Sequence, residues 1–198
     1  MLDYGTGNLY SVLRVIERVG GTAEITEDPV AVARATALVV PGVGHFGACM
    51  RSLAHHGLDR AVRDFAATGR PLFGISLGMQ VLFEGSDEDD AEGLGLIPGR
   101  SRKLPPTVKV PHMGWNAVTW FGEHPYLAGV PDRRRFYFVH SFALDVIEGI
   151  TVGVATHGRP FSAAVARGNL FATQFHPEKS GAAGLQIYEN FVKDVIAQ

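Results

Sequence analysis

Gly74-Ile75-Ser76-Leu77-Gly78 sets one hydroxyl between two glycines, at the end of the apolar run 72–75 and ahead of "MQVLF". A serine at a strand–turn–helix bend of the form G-x-S-x-G is the nucleophile-elbow pattern of serine hydrolases. A nucleophile needs a base, and the base needs an orienting group. The downstream pair that fits is His176-Pro177-Glu178, at the end of the apolar segment "ATQF". On an extended segment residues two apart point the same way, so Glu178 is expected to hold His176 in one tautomer. Pro177 stiffens the backbone between them. Donors for a developing oxyanion are expected at the Leu77 N–H, where the elbow helix starts, and in the glycine-rich loop that follows the strand "ALVV". That loop lies in "VVPGVGHFG", whose glycines let backbone approach a ligand closely. Taken singly, the His-Pro-Glu string also fits a structural contact and the glycine-rich loop a plain connection. Their combination with the elbow points to acyl transfer. In α/β-hydrolases the acid lies between nucleophile and histidine, whereas here it follows the histidine, which weighs against that class.

The elements that must carry these residues read as alternating helices and strands. Leu9, Val12, Leu13, Ile16 and Val19 fall at helical spacing with Gly20 as a stop. "AEIT" and "ALVV" read as strands around "EDPVAVARA", a helix with Asp28 as N-cap and Pro29 at its first position. "DRAVRDFAATG" is a further amphipathic helix, and 71–85 supplies strand, elbow and helix. "GSDEDDAEGLGLIPGRSRKLPP" reads as a long loop whose acidic run is a solvated surface. β-rich pieces follow, and a last helix is expected to be capped by Ser180 and buried through Leu185, Tyr188, Phe191, Val192, Val195 and Ile196. His55, His56, His124 and His157 read as solvated or capping side chains. The expected fold is α/β, one domain over 1–198, with a mixed, mostly parallel sheet flanked by helices and antiparallel strands in the C-terminal half. Only "MLDY" precedes the first glycine, so the first strand is either very short or preceded by further residues.

With 46% hydrophobic and 19% charged residues and a formal charge of −2, the 198-residue chain fits a globular protein, not a general nucleic-acid or membrane surface. It carries neither a signal-peptide pattern nor a membrane-length apolar run, so a cytoplasmic location is the default. One cysteine, Cys49, excludes an internal disulfide framework and a cysteine-based zinc site.

"PGVGHFGACM", "GISLGMQVLFEGS", "PHMGWN", "YFVHSF" and "QFHPEKS" together resemble the class I, triad-type glutamine amidotransferases. With "DYGTGNLYSV" they are similar, over nearly the whole chain, to the glutaminase-subunit family of imidazole glycerol phosphate synthases. The resemblance implies hydrolysis of glutamine to glutamate and ammonia through a thioester, and delivery of ammonia to a (β/α)8-barrel cyclase partner in histidine biosynthesis. No cofactor and no metal is implied. It places the nucleophile at Ser76, the base at His176 and its orienter at Glu178, with Leu77, Gly42, Val43 and Gly44 at the oxyanion. Gly44, Gln80, His140, Ser141 and Phe142 match substrate-binding positions. Asn8, Met113, Trp115, Tyr137 and Lys179 match positions facing the cyclase, with core packing as the alternative for Trp115 and Tyr137. The family carries cysteine where this chain has Ser76, and Cys49 lies outside any elbow. Either an engineered replacement that traps glutamine or a natural serine variant accounts for this. Retention of every surrounding motif residue favours the first. A serine hydrolase and a non-catalytic partner of a barrel enzyme are the other readings.

Overall fold

The structure, a computed structural model, describes residues 1–5 and 7–197. In chain order it contains α1 (Leu9–Arg18), α2 (Pro29–Arg34), β1 (Leu38–Gly42), α3 (Phe46–His55), α4 (Leu58–Ala67), β2 (Leu72–Ser76) and α5 (Leu77–Gln80). Then come β3 (Phe83–Ser86), β4 (Ala91–Glu92), β5 (Ile97–Lys103), β6 (His112–Ala117) and β7 (Thr119–Trp120). The rest is β8 (Arg135–His140), β9 (Phe142–Leu144), β10 (Thr151–His157), β11 (Arg159–Arg167), β12 (Leu170–Thr173) and α6 (Gly181–Ala197). Single 3₁₀ turns lie at Pro125–Leu127 and Pro177–Lys179.

The main sheet has the order β1-β2-β12-β11-β10-β7, and smaller sheets are β4-β3-β5-β9 and the hairpin β6-β8. Pairing is parallel at β1–β2 and β2–β12 and antiparallel from β12 outward to β7, so the main sheet is mixed but not mostly parallel as expected, because only the strands on the elbow side run parallel. At the start of the described residues there is one parallel bridge, Leu2 with Thr26, beside a Leu2 N–H bond to the Val39 carbonyl. "AEIT" contributes only that bridge.

β1 and β2 are buried along their whole length, which explains their unbroken apolar sequences. Leu38, Val40 and Leu72 face the layer holding Phe46, Leu53, Val62 and Phe65 of α3 and α4. Val39, Phe73 and Ile75 face the opposite layer, where Phe73 packs against Phe171, Tyr188 and Phe191. Asp28 caps α2 as expected, accepting from the Val30 N–H at 2.8 Å.

Four further expectations fail in whole or in part. The helix after the elbow ends at Gln80, because Val81, Leu82 and Phe83 turn into the core and the chain enters β3. The presumed long loop 85–106 holds β4, β5 and the end of β3. Ser180 does not cap α6 through its side chain. Its hydroxyl donates to the His176 carbonyl at 2.6 Å and accepts the Tyr137 N–H at 3.0 Å. The buried stripe of α6 is Ala183, Gly184, Ile187, Tyr188, Phe191 and Val192, leaving Ile196 71% exposed and Leu185 and Val195 only half-buried.

The elbow depends on close backbone approach. A Cβ on Gly78 would lie 1.8 Å from the Val40 carbonyl oxygen, and one on Gly74 would lie 2.8 Å from the Gly78 oxygen. Gly78→Ala must push β1 away from the elbow, and is expected to cost at least about 2 kcal/mol of stability. Urea denaturation measures this, and an unchanged midpoint would contradict the account.

Candidate active site

Ser76 ends β2 and precedes α5 with φ 57° and ψ −114°, outside the regions an L-residue ordinarily adopts. This bend puts the side chain at the strand's carboxyl end and the Leu77 N–H at the start of a helix. Beneath it Gly42 packs without a side chain, since a Cβ there would lie 2.6 Å from both the Gly78 nitrogen and the Tyr4 hydroxyl. Tyr4 Oη donates to the Pro41 carbonyl, which ties the loop entrance down.

Ser76 opens into a cavity of about 250 Å³ lined by Val43, Gly44, Leu77, Gln80, Glu88, Pro111, Val139, His140, Ser141, Phe142 and His176. The structure thus brings together Ser76, His176, Leu77, Val43, Gly44, Gln80, His140, Ser141 and Phe142. Gly42 does not line the cavity and serves the elbow instead. His176 Nδ1 lies 2.8 Å from Glu178 Oε1, and the glutamate side chain is 1% exposed. The geometry differs from the expected extended segment: Pro177–Lys179 form a 3₁₀ turn that folds the carboxylate back onto the ring. His176 Nε2 is buried and bonds no other described residue, so its lone pair is free for the cavity. Glu178 also acts on the core beneath it, where burial first and its charge second hold the Tyr188 hydroxyl well above the usual phenol range.

Two side chains of the site escaped the sequence reading. Glu88 lies in the acidic run expected to be solvated, but it turns inward to the cavity wall. Its Oε2 accepts the Phe46 N–H at 2.8 Å, capping α3, and Oε1 lies 3.5 Å from His45. Its neighbours behave as expected, with Asp87, Asp90 and Glu92 gathered around Arg100 at the surface and Asp89 beside His45. Gln174 is fully buried, and its Oε1 accepts from Gln80 Nε2 at 2.8 Å. Its position two residues before His176 was the available signal. Cys49 is buried in α3, and desolvation pushes its thiol up to about 12, so it is no nucleophile.

Met113 and Trp115 are 63% and 53% exposed on the outer face of β6, so core packing does not hold Trp115. Tyr137 lies across from Trp115 on β8, with the Lys179 ammonium 6.0 Å from its ring centre. Asn8 is the half-buried N-cap residue of α1, on a different part of the chain. No helix among the described residues is long and apolar enough to cross a membrane.

The family model of class-I glutamine amidotransferases matches residues 1–195, and the chain belongs to that family. Among its relatives, "Imidazole glycerol phosphate synthase subunit HisH" of Deinococcus radiodurans is 48% identical, over 98% of this chain and 93% of the relative. The protein of the same name from Thermobifida fusca is 48% identical over 97% and 96%. PurLQS from Thermotoga maritima shares the fold with a TM-score of 0.75 at 17% identity, covering 98% of this chain and 96% of that one.

Burial lowers His112 to about 4, with His157 adding to the shift, and burial lowers His140 to about 3. An unfolded histidine titrates near pH 6.5, so below that the unfolded chain takes up protons that these two refuse. Stability is therefore full above about pH 7 and falls as pH drops through 6.5. Urea midpoints between pH 7 and 5, above most carboxylate titrations, are expected to decline. The decline should be smaller in His112→Asn, and a flat profile would contradict the assignment.

Proposed function

We propose that this chain is the glutaminase subunit of an imidazole glycerol phosphate synthase, binding glutamine at the Ser76 cavity and passing ammonia to a barrel cyclase. The observation that carries the reading is the buried His176–Glu178 pair beside the elbow, with Nε2 left unbonded. The identity of 41–48% to proteins named as that subunit supports the choice of substrate and partner.

In this reading the γ-carbonyl carbon of glutamine sits above position 76. His176 Nε2 removes the proton of the attacking group, while Glu178 accepts the Nδ1 hydrogen and stabilises the imidazolium. The oxyanion accepts from the Leu77 N–H and from the 43–44 loop. His176 then returns the proton to the leaving nitrogen, ammonia departs, and water cleaves the acyl bond. At the other end of the substrate Glu88 offers a carboxylate to the α-ammonium. Gln80 and residues His140, Ser141 and Phe142 form the opposing wall. No step calls on a metal or a cofactor.

Ser76 marks the place of the nucleophile and supplies a weak one. A thiol of pKa about 8.5 yields thiolate beside an imidazole, whereas a hydroxyl must be deprotonated throughout the attack. The resemblance puts cysteine at this position in the family, so we read this chain as a form that binds glutamine and turns it over very slowly. The exposed Met113 and Trp115, with Tyr137 and Lys179 nearby, form the proposed cyclase face. Asn8 is read as a further partner position. A cytoplasmic heterodimer is the setting this implies.

Ser76→Cys is expected to raise glutamine hydrolysis about a hundredfold or more when the cyclase subunit is present. Ammonia release coupled to glutamate dehydrogenase measures it. No gain would overturn the reading, whereas labelling of Ser76 by a fluorophosphonate with ester turnover would favour a serine hydrolase. In the Ser76→Cys background, Glu178→Gln is expected to lower kcat about a hundredfold or more, since an amide can stabilise the wrong tautomer. Unaltered kcat would remove Glu178 from the mechanism.

A further inference from the structure

On the side of the β6–β8 hairpin lie two histidines that the mechanism does not use as bases, His140 in the cavity wall and His112 behind it. His112 Nδ1 is 2.9 Å from His140 Nε2, and His140 Nδ1 is 2.8 Å from the Phe142 carbonyl oxygen. The far end of this chain is Asn116, whose amide orientation is set twice over. Its Oδ1 accepts the Ala117 N–H at 2.9 Å, and its Nδ2 donates to the Thr156 carbonyl at 2.9 Å. The same nitrogen, 3.3 Å from His112 Nε2, must then donate there as well. Each later proton follows from the one before. His112 carries its hydrogen on Nδ1 and gives it to His140 Nε2. His140 therefore carries its hydrogen on Nδ1 and gives it to Phe142.

The order is fixed mechanically as well as chemically. The His112 ring is clamped between His157, 4.1 Å away at 18°, and Phe138, 5.0 Å away at 25°. His157 Nε2 is itself held at 2.8 Å by the Lys109 carbonyl. Both inner histidines are buried.

The end of the chain is the glutamine wall. The Phe142 oxygen also accepts from Gln80 Nε2 at 3.1 Å, so both of its lone pairs are engaged. The Ser141 carbonyl is taken by the Leu104 N–H at 2.9 Å. Both carbonyls on this part of the wall are thus kept from facing a substrate carboxylate. If His140 carried its proton on Nε2, a lone pair would face the Phe142 oxygen and the peptide would be driven to turn.

We propose that His112 is a positioning residue for substrate binding: by donating from Nδ1 it fixes the His140 tautomer, and through it the Phe142 peptide and the Gln80 amide. This rests on the glutaminase reading above. His112 touches no substrate and sits on the strand whose outer face carries Met113 and Trp115, so the wall is held from beneath the proposed partner face.

Two measurements test it. Long-range ¹H–¹⁵N NMR on the unaltered chain at neutral pH should find His112 and His140 both protonated on Nδ1; Nε2 protonation of either overturns the proposal. In the Ser76→Cys background with the cyclase, His112→Phe keeps the ring stack and loses the donor. It is expected to raise KM for glutamine about tenfold while kcat changes less than about threefold. His112→Asn, which returns a donor near the Nδ1 position, should restore KM to within about threefold of the parent. An unchanged KM in a folded His112→Phe overturns the proposal, as does a loss that His112→Asn fails to rescue. Should His112→Phe not fold, Asn116→Leu removes the first donor without touching the cavity, and a raised KM is again required. A parent that hydrolyses no glutamine would count against the functional reading, while the NMR result would still decide the hydrogen-bond chain.

Discussion

The strained peptide at Ser76 is the constraint on which the rest of the site depends. A non-glycine residue at φ 57° and ψ −114° costs on the order of 1–3 kcal/mol and persists only where the surroundings impose it. Here the surroundings are backbone. Gly42, Gly74 and Gly78 let β1, β2 and the first turn of α5 approach to distances that no side chain permits. The parallel pairing of Gly42 with Ser76 aligns the ends of the two strands. That alignment brings the 43–44 loop, Leu77 and Ser76 to one cavity.

Around this elbow the protein builds a buried polar layer instead of extending its apolar core. His176 and Glu178 form one pair, and Gln174, Gln80 and the Phe142 carbonyl form a second group joined to His140, His112 and Asn116. Buried polar groups are costly unless bonded, and bonded groups of this kind hold a single geometry. The two inner histidines remain neutral because burial penalises their charged forms. The fold thus separates two uses of imidazole. One ring, beside Ser76, is left unbonded at Nε2, and two are tied at both nitrogens.

The parts of this arrangement legible in the sequence are those set by local chemistry. Glycines around Ser76, the glycine-rich turn after β1, and the His-Pro-Glu string each announce themselves within a few residues. So does the Asp28–Pro29 start of α2. What was not legible is decided at long range. Nothing within "MQVLF" says that the helix stops at Gln80; that follows from where Val81, Leu82 and Phe83 find the core. Glu88 looks like its solvated neighbours until α3 presents an unpaired Phe46 N–H to it. Ser180 has the residue type of a helix cap, but the Tyr137 N–H and the His176 carbonyl claim its hydroxyl first. Even the His176–Glu178 contact is made by a 3₁₀ turn, not by the extended backbone that the spacing suggested.

The central claim is that position 76, and no other residue, receives an acyl group from glutamine under the control of His176. Intact-mass spectrometry of the Ser76→Cys chain, mixed with the cyclase subunit and quenched in acid during turnover, tests it most directly. The account predicts a mass increase of one glutamyl group, located by peptide mapping to position 76 and absent when His176 is replaced by alanine. Turnover without that adduct, or an adduct on Cys49, would contradict it.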